Sequence, residues 1–211
     1  MSAPQRAGYH HGNLRAALIA SGLELARSGG AEAIVLREVA RQVGVTPRAA
    51  YRHFDDRYQL IEAVGGAALG AMAEAIASRV AQLTETDPVA RARATITAIG
   101  LAYIDFAITE PGWFDAAFFG LVDMVQAVGP DASGAAERPA FALLQDCLDA
   151  LVAAGGMPAA KRPGADVACW SAVHGFAVLA TRGPLRETDE ATREQLGAIV
   201  VARALDGVTA D

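Results

Sequence analysis

"REVARQVGVTPRAAYRHFDDRYQLIEAV", residues 37–64, is the stretch on which the reading of this chain turns. Leu36 just before it, then Val39, Ala40 and Val43, recur at offsets of three, four and seven, the period of a helix with one apolar face. Gly44 follows, a residue that takes positive φ at a helix end without strain. Thr46 offers a side-chain oxygen to cap a new helix, and Pro47 takes the first helical position, where a missing N–H is harmless. This second helix spans about 47–54 and is short, because Asp55-Asp56 opens the next one near its positive end. Two helices around a glycine turn are a common way to place a helix in the DNA major groove, whose base edges carry a full donor and acceptor code.

Residues near the start of the second helix then point at bases, while flanking hydroxyls, phenols and cations grip phosphates. That logic assigns Arg48 to base edges, guanine first, with Pro47 and Ala49 as small apolar contacts. Thr46, Tyr51, His53 and Arg57 fall on the phosphate side, and Arg52 serves either way. Ala50 and Phe54 face inward. Helix-turn-helix pairs also occur as plain packing units, and a charged outer face is usually just solvated. The gathering of Thr46, Arg48, Tyr51, Arg52, His53 and Arg57 on one exposed side favours double-stranded DNA as the partner.

Charge distribution agrees. The chain has 211 residues and a net charge of −6, yet residues 1–60 hold eight Arg against five Asp and Glu. The other 151 residues hold ten Lys and Arg against nineteen Asp and Glu. A basic end on an acidic body suggests that only the N-terminal part approaches a polyanion, although chance unevenness would look the same. Cys147 and Cys169 lie far apart in apolar stretches, as reduced thiols do, and no secretory leader or bilayer-length uncharged run is evident, so a cytoplasmic protein without a membrane partner is expected.

Outside 37–64 the period stays helical. Asn13 can cap a helix carrying Leu14, Leu18 and Leu25 that ends near Gly29-Gly30. Further helices are expected over about 57–80, 88–109, 111–128, 137–154, 163–182 and 189–206, broken by "EPGW", "GPDASGAAERP", "GGMPAAKRPGAD" and "GPLRETD". No stretch alternates with period two. The fold class is therefore all-α, with about nine helices.

The residues resemble the N-terminal domain of the TetR family of transcriptional regulators. "GLELARSGG", "REVA", "QVGVT", "YRHF" and "DDRYQL" stand in register with that family's pattern. "YHHGNLRAALI" and "WSAVHGF" (Trp170, His174, Gly175) resemble a subgroup with a Trp-x-x-x-His-Gly signature in its C-terminal domain, and "EPGWFDAAFFG" resembles that subgroup's His-Pro-Gly segment with Glu110 in place of the histidine. The resemblance implies a three-helix DNA-binding domain over 1–56 and a helical ligand-binding and dimerisation domain over 57–211, with DNA contacts by Thr46, Pro47, Arg48, Tyr51, His53 and Arg57. It also implies a homodimer joined by the last two helices, a small-molecule effector in the C-terminal domain, and repression relieved when that effector binds. Two departures matter. Val35 stands where family members carry Ser or Thr, removing one hydroxyl contact and cap, and Arg48 stands where many carry Gly, so base preference cannot be borrowed.

For the dimer seam, Val167, Trp170, Val173, Leu196, Ile199, Val200 and Leu205 are the candidates, and burial within their own domain is the competing reading. The ligand-binding candidates are Phe106, Trp113, Phe114, Phe118, Phe119, Trp170 and His174, drawn from an aromatic set that also holds Tyr103 and Phe176. Any one of them is more often plain core. Phe118-Phe119 beside the "EPGWF" break is the favoured pocket edge, and a hydrogen-bonded structural role is favoured for His174. His10-His11 lacks metal-ligand spacing, and no metal, cofactor or catalytic motif is found. The rival readings are a helical small-molecule-binding protein or enzyme that keeps an unused helix-turn-helix, and an architectural DNA binder with little sequence preference.

Overall fold

Apolar residues recur at helical spacing along the chain, and its prolines and glycines fall mostly between the repeats, so helix follows helix. The computed structural model describes residues 14–120 and 139–210. These contain nine α-helices and no strand: α1 (Leu14–Gly29), α2 (Leu36–Val43), α3 (Pro47–Ala50), α4 (Arg57–Val80), α5 (Pro88–Thr109), α6 (Pro111–Phe119), α7 (Ala140–Ala153), α8 (Ala165–Thr181) and α9 (Glu190–Thr209). The all-α expectation holds.

Local chemistry sets the boundaries. Thr46, Asp56, Asp87 and Asp189 each accept a hydrogen bond from the backbone N–H three residues on, capping α3, α4, α5 and α9. Each such cap stabilises by about 1 kcal/mol. Gly44 ends α2 in the left-handed region at φ 79°. The third helix is shorter than the sequence suggests. It stops at Ala50, and Arg52 and His53 continue as a tighter turn bonded to Ala49 and Ala50, which drops Phe54 into the core. The helix expected over 111–128 is described only as Pro111–Phe119; its remainder, Asn13 and His10-His11 lie outside the described residues.

Two buried regions result. Leu18, Ile34, Leu36, Val39, Ala50 and Phe54 form the N-terminal core, which Leu60, Ile61 and Val64 from the first turns of α4 complete. Met72 and Ile76, further along α4, pack instead with Ile99, Tyr103, Phe114, Phe176 and Val201 in the C-terminal core. One continuous helix thus serves both cores. Helices α4 and α5 have the length and mean hydropathy of membrane spans, which the sequence reading did not foresee. The relevant windows are 56% and 61% buried inside the protein, so their apolar surface belongs to the core.

Candidate nucleic-acid interface and apolar cavity

Ala50 and Phe54, both inside the N-terminal core, anchor the reading surface, and the Arg15 guanidinium lies 5.3 Å over the Phe54 ring. With those two turned inward, Thr46, Pro47, Arg48, Tyr51, Arg52 and His53 are all exposed. Arg48 and Arg52 form no ion pair among the described residues. Two solvated guanidiniums and a phenol therefore stand exposed on α3 and the turn that follows it. Thr46 Oγ1 accepts from Ala49 N–H at 3.3 Å, which leaves its own hydrogen free for a phosphate oxygen.

Arg57 has a different setting. Its Nε donates to Ile34 O at 2.8 Å, and its Nη2 donates to Ala31 O at 2.8 Å and Glu32 O at 3.1 Å. The side chain clamps the 3₁₀ turn Gly30–Ala33 against the start of α4. Nothing in the spacing of residues 31–34 signals that clamp. Val35 opens α2 with no side-chain cap, in keeping with the missing hydroxyl.

Helix α6 joins the two cores. A Cβ on Gly112 would fall 2.0 Å from Ala26 O, so only glycine lets the start of α6 meet the end of α1 this closely. Around that contact, Arg27 makes a two-pronged bond to Glu110 at 2.9 Å on each arm and lies 4.4 Å over the Trp113 ring. Trp113 Nε1 donates to Leu23 O at 2.9 Å. Asp115 accepts from Ala31 N–H at 2.8 Å and pairs with Arg182 beyond the end of α8. Glu110, at the position where the resembled segment has histidine, is the anchor of this joint. The sequence reading assigned no role to Arg27 or Asp115.

In the C-terminal domain a cavity opens to solvent, with about 730 Å³ of space between its walls when the open solvent at its mouth is included. Of the expected ligand residues, Phe118 and Trp170 line it. Phe106 and Phe114 are buried among other core rings, Trp113 belongs to the α1–α6 joint, and Phe119 is exposed beneath the Arg182 guanidinium. His174 packs behind the wall, its Nδ1 2.8 Å from Tyr103 Oη, which is the hydrogen bond its structural role requires. The walls are mainly aliphatic, with Met72, Ile96, Ile99, Val173, Val201 and Leu205 prominent. Sequence reasoning missed them by weighing aromatics, since an aliphatic wall and an aliphatic core share one pattern.

Of the seam candidates, Val173 and Leu205 are buried in their own protomer, and Trp170, Leu196 and Val200 are half-buried. Val167 and Ile199 are 54% and 47% exposed, and Leu179, not foreseen, is 45% exposed. Cys147 and Cys169 are free thiols, and burial pushes Cys147 up to about 11. Among the described residues no group of His, Cys, Asp or Glu is placed to hold a metal ion.

Residues 18–64 match the family described as "Bacterial regulatory proteins, tetR family", and residues 96–203 match "Tetracyclin repressor-like, C-terminal domain". No curated protein matches the chain significantly. Among solved structures, a protein of unknown function from Rhodococcus sp. RHA1 is 22% identical with a TM-score of 0.72, over 95% of this chain and 97% of its own. RolR in complex with resorcinol is 16% identical at a TM-score of 0.61, over 93% of each chain. A TetR variant from Acinetobacter baumannii AYE in complex with minocycline is 17% identical at 0.59, over 92% of this chain and 97% of its own. The second family match alone covers more than half of the sequence, and the chain belongs to the TetR family of transcriptional regulators.

Proposed function

We propose that this regulator is a homodimeric repressor that binds a two-fold-symmetric operator and leaves it when a small molecule fills the C-terminal cavity. The observation that carries the reading is the exposure of Arg48, Tyr51 and Arg52 along α3 and the turn after it, while Ala50 and Phe54 of the same segment are locked into the core. Residues 1–56, with the first turns of α4 completing their core, form the reading head; residues 57–211 hold the cavity and the dimer face. Thr46, Pro47, Arg48, Tyr51, Arg52 and His53 make the DNA contacts. Arg57 acts through its clamp, keeping its remaining Nη1 for a phosphate.

Exposed Val167 and Leu179 on α8 and Ile199 on α9 favour a seam between two copies on these helices. Two reading heads must stand about 34–36 Å apart to enter successive major grooves on one side of the duplex. A ligand that prefers a different separation shifts the population away from DNA. Helix α6 is suited to carry that shift, because Phe118 lines the cavity while Glu110 and Trp113 hold α1 and Asp115 holds the 3₁₀ turn after it. That resorcinol and minocycline are bound by two proteins of this fold supports the effector reading.

The test is a titration of the protein onto a selected duplex, with mass measurement of the complex. The reading expects two protomers on two half-sites about one helical turn apart, or a small multiple of it. One protomer on an asymmetric site would overturn it.

A further inference from the structure

Among the described residues the cavity has no charged side chain on its wall, and Tyr103, Trp170 and Cys169 carry the side-chain O–H, N–H and S–H groups found there. Two of these belong to one run of hydrogen bonds. Trp170 Nε1 donates to Tyr103 Oη at 3.4 Å, and Tyr103 Oη stands 2.8 Å from His174 Nδ1. The direction of that second bond decides what the cavity can recognise.

Indole N–H can only donate, so Tyr103 Oη is the acceptor towards Trp170. Burial raises the pKa of the Tyr103 hydroxyl and lowers that of His174, so both groups are neutral near pH 7. A neutral imidazole carries its proton on one nitrogen. With the proton on Nδ1, the Tyr103 hydroxyl hydrogen would turn away from this run, and the described lining side chains offer it only the weak sulfur acceptors of Met72 and Cys169. A buried donor left unmade is the unfavourable side of hydrogen-bond energetics. With the proton on Nε2, both bonds form in one direction, from Trp170 to Tyr103 to His174. Tyr103 Oη then has no hydrogen left to give and one lone pair open.

We propose that the cavity takes an uncharged, ring-bearing compound with a hydroxyl group, and that Tyr103 Oη accepts that hydroxyl's hydrogen. The inference rests on the reading of this cavity as the effector site and adds the chemistry it selects. Phe118, Phe141, Tyr103 and Trp170 supply flat contact for a ring between the aliphatic walls. A carboxylate or ammonium is disfavoured, because the described walls give a desolvated charge no partner. A ketone or ether of the same shape is disfavoured, because its oxygen would face a lone pair.

Equilibrium dialysis of the full-length protein with three matched probes tests this: 2-naphthol, 2-methoxynaphthalene and 2-naphthoate. The expected order is 2-naphthol about tenfold tighter than its methyl ether, with the carboxylate weakest. Tyr103→Phe should bring naphthol and ether to equal affinity. His174→Phe removes the acceptor that holds the Tyr103 hydrogen, so the ether should gain on naphthol; this variant decides the matter if Tyr103→Phe fails to fold. Equal binding of naphthol and ether by the native protein, preference for the carboxylate, or no binding of any probe would each overturn the proposal. DNA release is measured separately on a selected duplex. The predicted order of affinities without release would fail the effector reading alone, and release driven by the carboxylate would fail this inference alone.

Discussion

In the protomer a Cβ added at Gly175 meets no heavy atom within 4 Å. Val167, Ser171 and Leu179 share its exposed face of α8 at four-residue spacing. Gly175→Leu therefore leaves the protomer's packing undisturbed and removes a glycine from mid-helix, a gain of about 0.5–1 kcal/mol. In the proposed dimer the same face lies against the partner. Each inserted side chain there must fit into surface that is already packed, at about 1–3 kcal/mol. A two-fold interface takes the change twice. The dimer should weaken by about 2–6 kcal/mol, a factor of about 30 to about 10⁴ in its dissociation constant. Sedimentation velocity over a dilution series reads that factor, and circular dichroism reports whether the helices persist. A folded variant that dimerises within threefold of the unmodified protein would place the seam on another face. An unfolded variant would contradict the open setting of Gly175.

Three further outcomes are expected. Arg48→Ala should lose about 1–3 kcal/mol per half-site and relax base preference at one operator position, whereas Arg52→Ala, if it contacts phosphate, should weaken all sequences alike and reduce the salt slope by about 1; gel-shift titrations at several salt concentrations separate the two. Trp113→Phe removes the bond to Leu23 O, so the melting midpoint should fall by about 1–6 °C and a ligand should alter DNA affinity by a smaller factor; an unchanged ligand response would remove α6 from the coupling route. Burial holds the pKa of His174 below its ordinary value, so the unfolded chain binds the extra proton. Its contribution is complete above about pH 6.5 and is lost as pH falls below that value towards the folded pKa. Urea midpoints measured between pH 7.5 and 5.5 should fall less in His174→Gln than in the native protein.

The parts of this fold that were legible in the sequence are those set by neighbours along the chain. Thr46, Pro47, Asp56 and Gly44 act on backbone groups within a few residues, so their caps and stops are readable without a fold. The shortness of α3 was less legible, because it depends on where Phe54 finds the core. Contacts that cross the chain left no signal at all. The Arg57 clamp reaches back to residues 31–34, and the Arg27–Glu110 pair spans the two cores. The same limit applies to the cavity. Ile96, Ile99 and Val201 obey the same period as Ile104 and Ile76, and only packing in three dimensions decides which of them face empty space. Val173 and Leu205 illustrate the converse, since an apolar helix face predicts burial without saying against which copy of the chain.

Selection of bound duplexes from a random pool, at low and at moderate salt, shows whether the exposed residues of α3 and the turn after it read a symmetric DNA sequence. The account predicts enrichment of one inverted repeat that survives the added salt, with Arg48→Ala enriching a different or weaker one. Binding that disappears with salt and enriches no sequence would contradict it, because backbone attraction alone would then account for the contact.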